Sequence, residues 1–203
     1  MKTIQILILL LAISICSYSQ KESFIRLGAK AGVNVNKIDG LAYKEGFNYN
    51  FQAGLFAQIH ITKKLGIQPE VNFVQSQYEF TDNSNTIYDD IFGGGTQHKA
   101  KLDLLEVPIL LNINIGPTQK VKLQLGPSYS AVLKQTVDSV RANANIKDIY
   151  KKAEVSAIAG LWIQLPFVNI GARYKVGLSD INNTPNGKVW KNQAIQVFAG
   201  ITF

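Results

Sequence analysis

Four ionisable residues stand at positions that strand parity turns to one side of a sheet: Glu70, Glu106, Arg173 and Lys175. Two carboxylates against two cations carry no net charge, the condition under which such groups leave water together at tolerable cost. A guanidinium grips a carboxylate through two parallel hydrogen bonds, so the expected chemistry is structural. Arg173 holds a carboxylate, Glu106 among its partners, and Lys175 serves as a second donor. Sets suited to bond-making are scarce. Hydrolytic catalysis needs a His gathered with a carboxylate and a hydroxyl, and the two His, His60 and His98, fall at opposite ends of the strands proposed below. One cysteine, Cys16, excludes an internal disulfide and a Cys-based zinc site, and two His exclude a multi-His metal site. Asp82, Asp89 and Asp90 share a loop, but their spacing matches no ordered calcium loop and reads as solvated charge. Phe92-Gly93-Gly94-Gly95-Thr96 lacks the Lys-Ser/Thr that a phosphate loop requires. The chain is therefore expected to be no enzyme and to need no cofactor or metal.

What positions these residues is period-2 alternation, repeated along the chain. Tyr49, Phe51, Ala53, Leu55, Ala57, Ile59 and Ile61 alternate with Asn48, Asn50, Gln52, Gly54, Phe56, Gln58 and His60. Leu65 to Phe73 and Leu105 to Ile115 repeat the pattern, as do Val121 to Leu125, Val155 to Leu165, Val168 to Leu178 and Ile195 to Phe203. With Ile25 to Val35 these make eight strands of roughly ten to fourteen residues, against about five or six in ordinary globular sheets. The apolar set is nearly pure Val, Leu, Ile, Ala and aromatic. Its partner set is mostly Asn, Gln, Ser and Gly, where a solvent-facing strand would be rich in Lys and Glu. That combination suits lipid outside and a crowded lumen inside. The expected fold is all-β, an eight-stranded antiparallel up-and-down transmembrane barrel.

Loop lengths agree. Thr62-Lys63, Gly116 to Lys120 and the stretch around Pro166 are short. Asn36 to Phe47, Thr81 to Lys99, Gln135 to Lys151 and Asp180 to Lys191 are long. They alternate strictly, which puts the long loops at one end and both termini at the other. The expected placement is long loops outside the cell and N- and C-termini in the periplasm. Phe203 closes the last ladder on the lipid-facing set and is the expected assembly signal for the barrel insertion machinery.

The N-terminus reads as a cleaved signal peptide. Lys2 supplies the positive charge, Ile6 to Ile13 the apolar run, and Ser17-Tyr18-Ser19 the small residues before the cut. Ile15 stands where a lipoprotein needs a small residue before its Cys, so cleavage after Ser19 is expected. Residues 1–19 are then the leader and 20–203 the barrel domain. Of 203 residues, 17% are charged against about a quarter in soluble domains, which excludes a disordered chain. The mature chain keeps 20 basic against 14 acidic residues, a net of +6, without a dense basic run. Scattered lysines suit contact with outer-membrane lipid and lipopolysaccharide; nucleic acid is not an expected partner.

Ordered motifs along the ladders carry a resemblance. They are Gly28-Ala29-Lys30-Ala31-Gly32-Val33-Asn34, Gln68-Pro69-Glu70-Val71-Asn72-Phe73, Leu105-Glu106-Val107-Pro108, Leu125-Gly126-Pro127-Ser128-Tyr129, and Gly171-Ala172-Arg173-Tyr174-Lys175-Val176-Gly177-Leu178 followed by Asp180-Ile181. In order and spacing the chain resembles the PorT-like outer-membrane β-barrel proteins of the Bacteroidetes from Gly28 to Phe203. The resemblance implies an eight-stranded outer-membrane barrel, in one member type linked to a protein secretion system, and transfers no catalytic residue. The expected function is a structural or interaction barrel whose loops or turns contact envelope partners; a small pore and a lipid-acting barrel enzyme are the alternatives.

Overall fold

The computed structural model describes residues 24–39, 48–81, 97–118, 120–137, 150–183 and 189–203. The expected leader, residues 1–19, and the Asp82, Asp89, Asp90 and Gly-rich loop positions lie outside them. Eight strands follow in chain order: β1 Ile25–Asp39, β2 Asn48–His60, β3 Leu65–Thr81, β4 Gln97–Ile115, β5 Val121–Val137, β6 Ala153–Gln164, β7 Val168–Gly177 and β8 Lys191–Thr202. Each pairs antiparallel with the next, and β8 pairs with β1, so the sheet closes with no free edge strand. This is the eight-stranded up-and-down barrel that the alternation predicts.

The short connections, residues 61–64, 116–120 and 165–167, share one end with the start of β1 and the end of β8. They are tied locally. The Thr62 hydroxyl accepts from the N–H groups of Lys64 and Leu65 at 3.2 and 2.9 Å. The Asn114 side-chain amide donates to the Lys63 carbonyl at 2.7 Å, fastening the β2–β3 turn to the end of β4.

Parity holds with the inverted sense. Leu55 is 66% exposed while its neighbour Phe56 is 3% exposed. Along every strand the apolar ladder faces outward to lipid and the other set fills the lumen. The lumen is not simply polar, however. Phe56, Trp162 and Phe198 form an aromatic layer across it, with ring centroids 5.0 and 5.4 Å apart. An eight-stranded barrel barely has room for such rings. Glycine supplies it: a Cβ at Gly28 would run into the Phe56 ring, and one at Gly171 into the Phe198 ring.

Several strands run further than their apolar ladders, β3, β4 and β5 the furthest. β3, β4 and β5 continue through Gln75, Gln77, Lys101, Asp103 and Lys134, where pairing persists although the outward residues have become polar. Hydrogen bonding needs no apolar side chain, so a hydrophobic pattern under-reads the part of a wall that rises above the lipid. The register slips between Asp103 and Leu104, which pair with Lys134 and Val132, leaving Leu133 as one extra residue on β5.

Candidate functional site

The lumen holds the charged groups. Arg173 and Lys175 are successive inward positions on β7, and Glu70 and Glu106 are inward on β3 and β4. All four are buried. Their depths differ by one pleat. Asn72, one inward step beyond Glu70, is in register with Glu106. Glu106 therefore lies level with Lys175, and Glu70 with Arg173. The result is two stacked tiers.

In the first tier Arg173 reaches across the barrel to Glu70. Nη1 and Nη2 donate to the two carboxylate oxygens at 2.8 and 2.7 Å, and Nε donates to Gln124 Oε1 at 2.8 Å. Glu70 is the hub: Lys30 Nζ donates to its Oε2 at 2.6 Å, Asn72 to the same oxygen at 3.1 Å, and Gln68 to Oε1 at 2.6 Å. The Arg173 guanidinium and the Lys30 ammonium also lie 4.6 and 4.5 Å from the Phe198 ring centroid. The ion cluster thus rests on the aromatic layer. In the second tier Lys175 Nζ donates to Glu106 Oε2 at 2.8 Å and to Ser130 Oγ at 3.1 Å, with Glu154 Oε2 at 3.6 Å. Gln196 donates to the other Glu106 oxygen at 3.3 Å.

The partners differ from the sequence expectation in one respect. Arg173 is held by Glu70 and not by Glu106, which belongs to Lys175; the one-pleat offset decides it. Two members were missed, Lys30 and Glu154. Both sit at inward parity on their strands, so the signal was present in the alternation. His60 ends β2 at the short-turn end, whereas the His98 backbone pairs with Phe80 at the long-loop end. The His98 side chain lies outside the described residues. Among the described residues no group of three or more His, Cys, Asp or Glu could hold a metal.

At the long-loop end two connections meet over the lumen. Tyr150, Ile181 and Trp190 are buried there with Leu102 and Leu104. Tyr150 bridges Asn182, and the Lys151 N–H donates to the Ile181 carbonyl at 2.9 Å. Asp180 latches them. Its Oδ1 accepts from the N–H groups of Asn182 and Trp190 at 3.0 and 2.9 Å, and its Oδ2 from Lys151 Nζ at 2.8 Å. Partial burial pushes the Asp180 carboxyl up, but the Lys151 hydrogen bond and the two backbone donors outweigh it and hold the group below the usual range. Phe203 sits at the opposite end, exposed, its N–H donating to the Leu27 carbonyl at 2.8 Å.

A family model for the outer membrane protein β-barrel domain matches residues 18–183. The chain belongs to that family. Solved structures share the fold of this outer-membrane barrel at low identity. Neisserial surface protein A is 14% identical with a TM-score of 0.51, over 89% of this chain and 98% of that one. Ail, the attachment invasion locus protein of Yersinia pestis, is 14% identical with a TM-score of 0.50, over 88% and 98%. A second Ail structure, in complex with the heparin analogue sucrose octasulfate, gives 0.52 at 14% identity, over 89% and 100%. No curated protein matches the chain. The barrel is thus an integral outer-membrane protein.

Two predictions arise from these contacts. Glu70→Gln strips a charge from both Arg173 and Lys30, whereas Glu106→Gln leaves Lys175 within reach of Glu154. Glu70→Gln is expected to destabilise the folded barrel by about 3–5 kcal/mol and Glu106→Gln by clearly less. Urea unfolding in lipid vesicles checks the order, and equal losses would refute the hub. The second concerns Asp180, whose depressed pKa adds stability that is full above the unfolded value of about 4 and is lost as pH falls through the folded value. In a Trp162→Phe background, Trp190 fluorescence should stay constant on acidification to about pH 4 and shift below it. Asp180→Asn should show the shifted spectrum already at neutral pH. A variant spectrum identical to its parent at every pH would exclude the latch.

Proposed function

We propose that this barrel is a closed scaffold whose long connections present a contact surface to envelope partners, rather than a channel. The observation that carries this reading is the filled lumen. The aromatic layer and the two ionic tiers occupy the lumen at successive depths, and a buried cluster around Trp190 stands at the long-loop end. A wet pore would leave its lining charges accessible, but Arg173 and Lys175 are each 2% exposed. The resemblance to PorT-like barrels supports a partner within a secretion assembly. Lys101 and Lys134, exposed where β4 and β5 rise past the apolar ladder, suit contact with lipopolysaccharide phosphates at the outer leaflet.

Purified barrel in a planar bilayer is expected to show little steady conductance. A stable, large conductance would replace the scaffold by the pore. The contact surface requires the long connections to face outward and the termini inward. An epitope tag inserted near Gly94 should be accessible on intact cells, a Gly-rich stretch tolerating insertion, while one in residues 116–120 should not. Reaction of the turn tag on intact cells would reverse the orientation.

A further inference from the structure

The charges of the lumen balance in its two tiers and fail to balance below them. Lys30, Arg173 and Lys175 face Glu70, Glu106 and Glu154, three cations against three carboxylates. Among the described residues one buried cation remains. Lys122, the second residue of β5, points inward at the short-turn mouth and is 4% exposed. Its ammonium, which has three protons to place, donates to the neutral Gln58 Oε1 at 3.1 Å. The Gln58 amide nitrogen is already committed to Gln164 Oε1 at 3.2 Å. The other neighbour is a second cation: Arg26, half-buried at inward parity on β1 and in register with Gln58, stands close enough to repel it. Among the described residues neither has an ion-pair partner.

Like charges gathered at a mouth without a counter-ion cost stability unless a third party supplies one. The surroundings attract such a party. Lys63, Lys64 and Lys120 are exposed on the adjoining β2–β3 and β4–β5 turns. The acidic side chains among the described residues lie in the tiers (Glu70, Glu106, Glu154) or towards the long-loop end (Asp103, Asp180). Among the described residues the side chains charged at the short-turn end are thus all basic, a field that gathers anions. We infer that this mouth is an anion site in which Lys122 and Arg26 together hold a phosphate group. A guanidinium fork beside an ammonium supplies separate donors to two or three phosphate oxygens. The exposed Phe24, Phe167 and Phe203 rings at this end mark the level of lipid headgroups, so the phosphate can come from a phospholipid as well as from free solution. The site is independent of any contact made by the long connections.

The test uses the full barrel in non-ionic detergent with two probes. The first is inorganic phosphate, titrated against chloride at equal ionic strength while heat unfolding is followed. The second is phosphatidylglycerol, whose retention is read by native mass spectrometry. A free-phosphate site raises the unfolding midpoint with inorganic phosphate beyond the chloride control. A headgroup site leaves that midpoint unmoved but retains one lipid per barrel. In either case Lys122→Met should weaken binding by about tenfold or more, the loss expected for one charge-assisted contact, and Arg26→Gln should weaken it as well. Without ligand, Lys122→Met should be at least as stable as the parent, because the ammonium it removes has no counter-ion to lose. Absence of binding by both probes, or equal binding by the parent and both variants, overturns the site.

Discussion

In hydrocarbon every backbone N–H and C=O must find its partner inside the protein, and from that constraint the rest of this structure descends. A sheet satisfies it by closing, which β8 does by pairing with β1 from Gly28–Thr202 to Asp39–Lys191. Closure with eight strands fixes a narrow lumen, and a narrow lumen must be filled by the inward half of every strand. Those residues have no water to fall back on. Charges among them must be paired, and rings among them need glycine opposite. The outward half meets lipid and has almost no specification beyond being apolar, which is why Leu, Ile, Val and Phe interchange along it.

The filling is layered in a way that couples its parts. Arg173 and Lys30 both lie over the Phe198 ring, and both cations converge on Glu70, so the ring helps fix the geometry in which one carboxylate serves two donors. Gln124 accepts the Arg173 Nε proton and donates in turn to Asn112 Oδ1 at 2.7 Å, carrying the network on to β4. Breaking a buried pair of this kind leaves an uncompensated charge, a loss larger than the net worth of the pair itself. What such a network contributes is less net stability than a single arrangement of the eight walls. A one-residue register slip on β3 or β7 would turn Glu70 or Arg173 out into lipid.

The legible part of this protein was whatever depends on parity. Because lipid inverts the usual pattern, Leu55 outward and Gln52 inward could be read from the chain, and so could the inward placement of Glu70, Glu106, Arg173 and Lys175. Parity also marked Lys30 and Glu154, although nothing in the local pattern said that they belong to the same cluster. Depth was not legible. Whether Arg173 meets Glu70 or Glu106 depends on the stagger between strands far apart in the chain, which no ladder encodes. The reach of β3, β4 and β5 past their apolar segments was hidden for a related reason, since polar alternation such as Gln75 and Gln77 resembles a loop. The Asp180 latch joins two long connections through backbone donors of Asn182 and Trp190, and backbone donors have no sequence signature.

The two ends of the lumen are built on opposite principles, and the difference follows from how each is closed. At the long-loop end Tyr150, Ile181 and Trp190 are buried with Leu102 and Leu104, and one carboxylate, Asp180, ties their segments together through three donors. At the other end the turns are too short to cover anything. Closure there falls to inward side chains near the strand ends, among them the amides Gln58, Gln164 and Asn169 and the cation Lys122. Neutral groups close such a ring among themselves, as Gln58 does with Gln164 and the Asn169 amide with the Thr202 hydroxyl. A cation cannot join them on equal terms, because a neutral oxygen compensates its charge only in part. Among the described residues of that ring Lys122, with Arg26 beside it, is therefore a cation whose placement the packing of the barrel leaves unexplained, and its explanation lies in what the mouth faces.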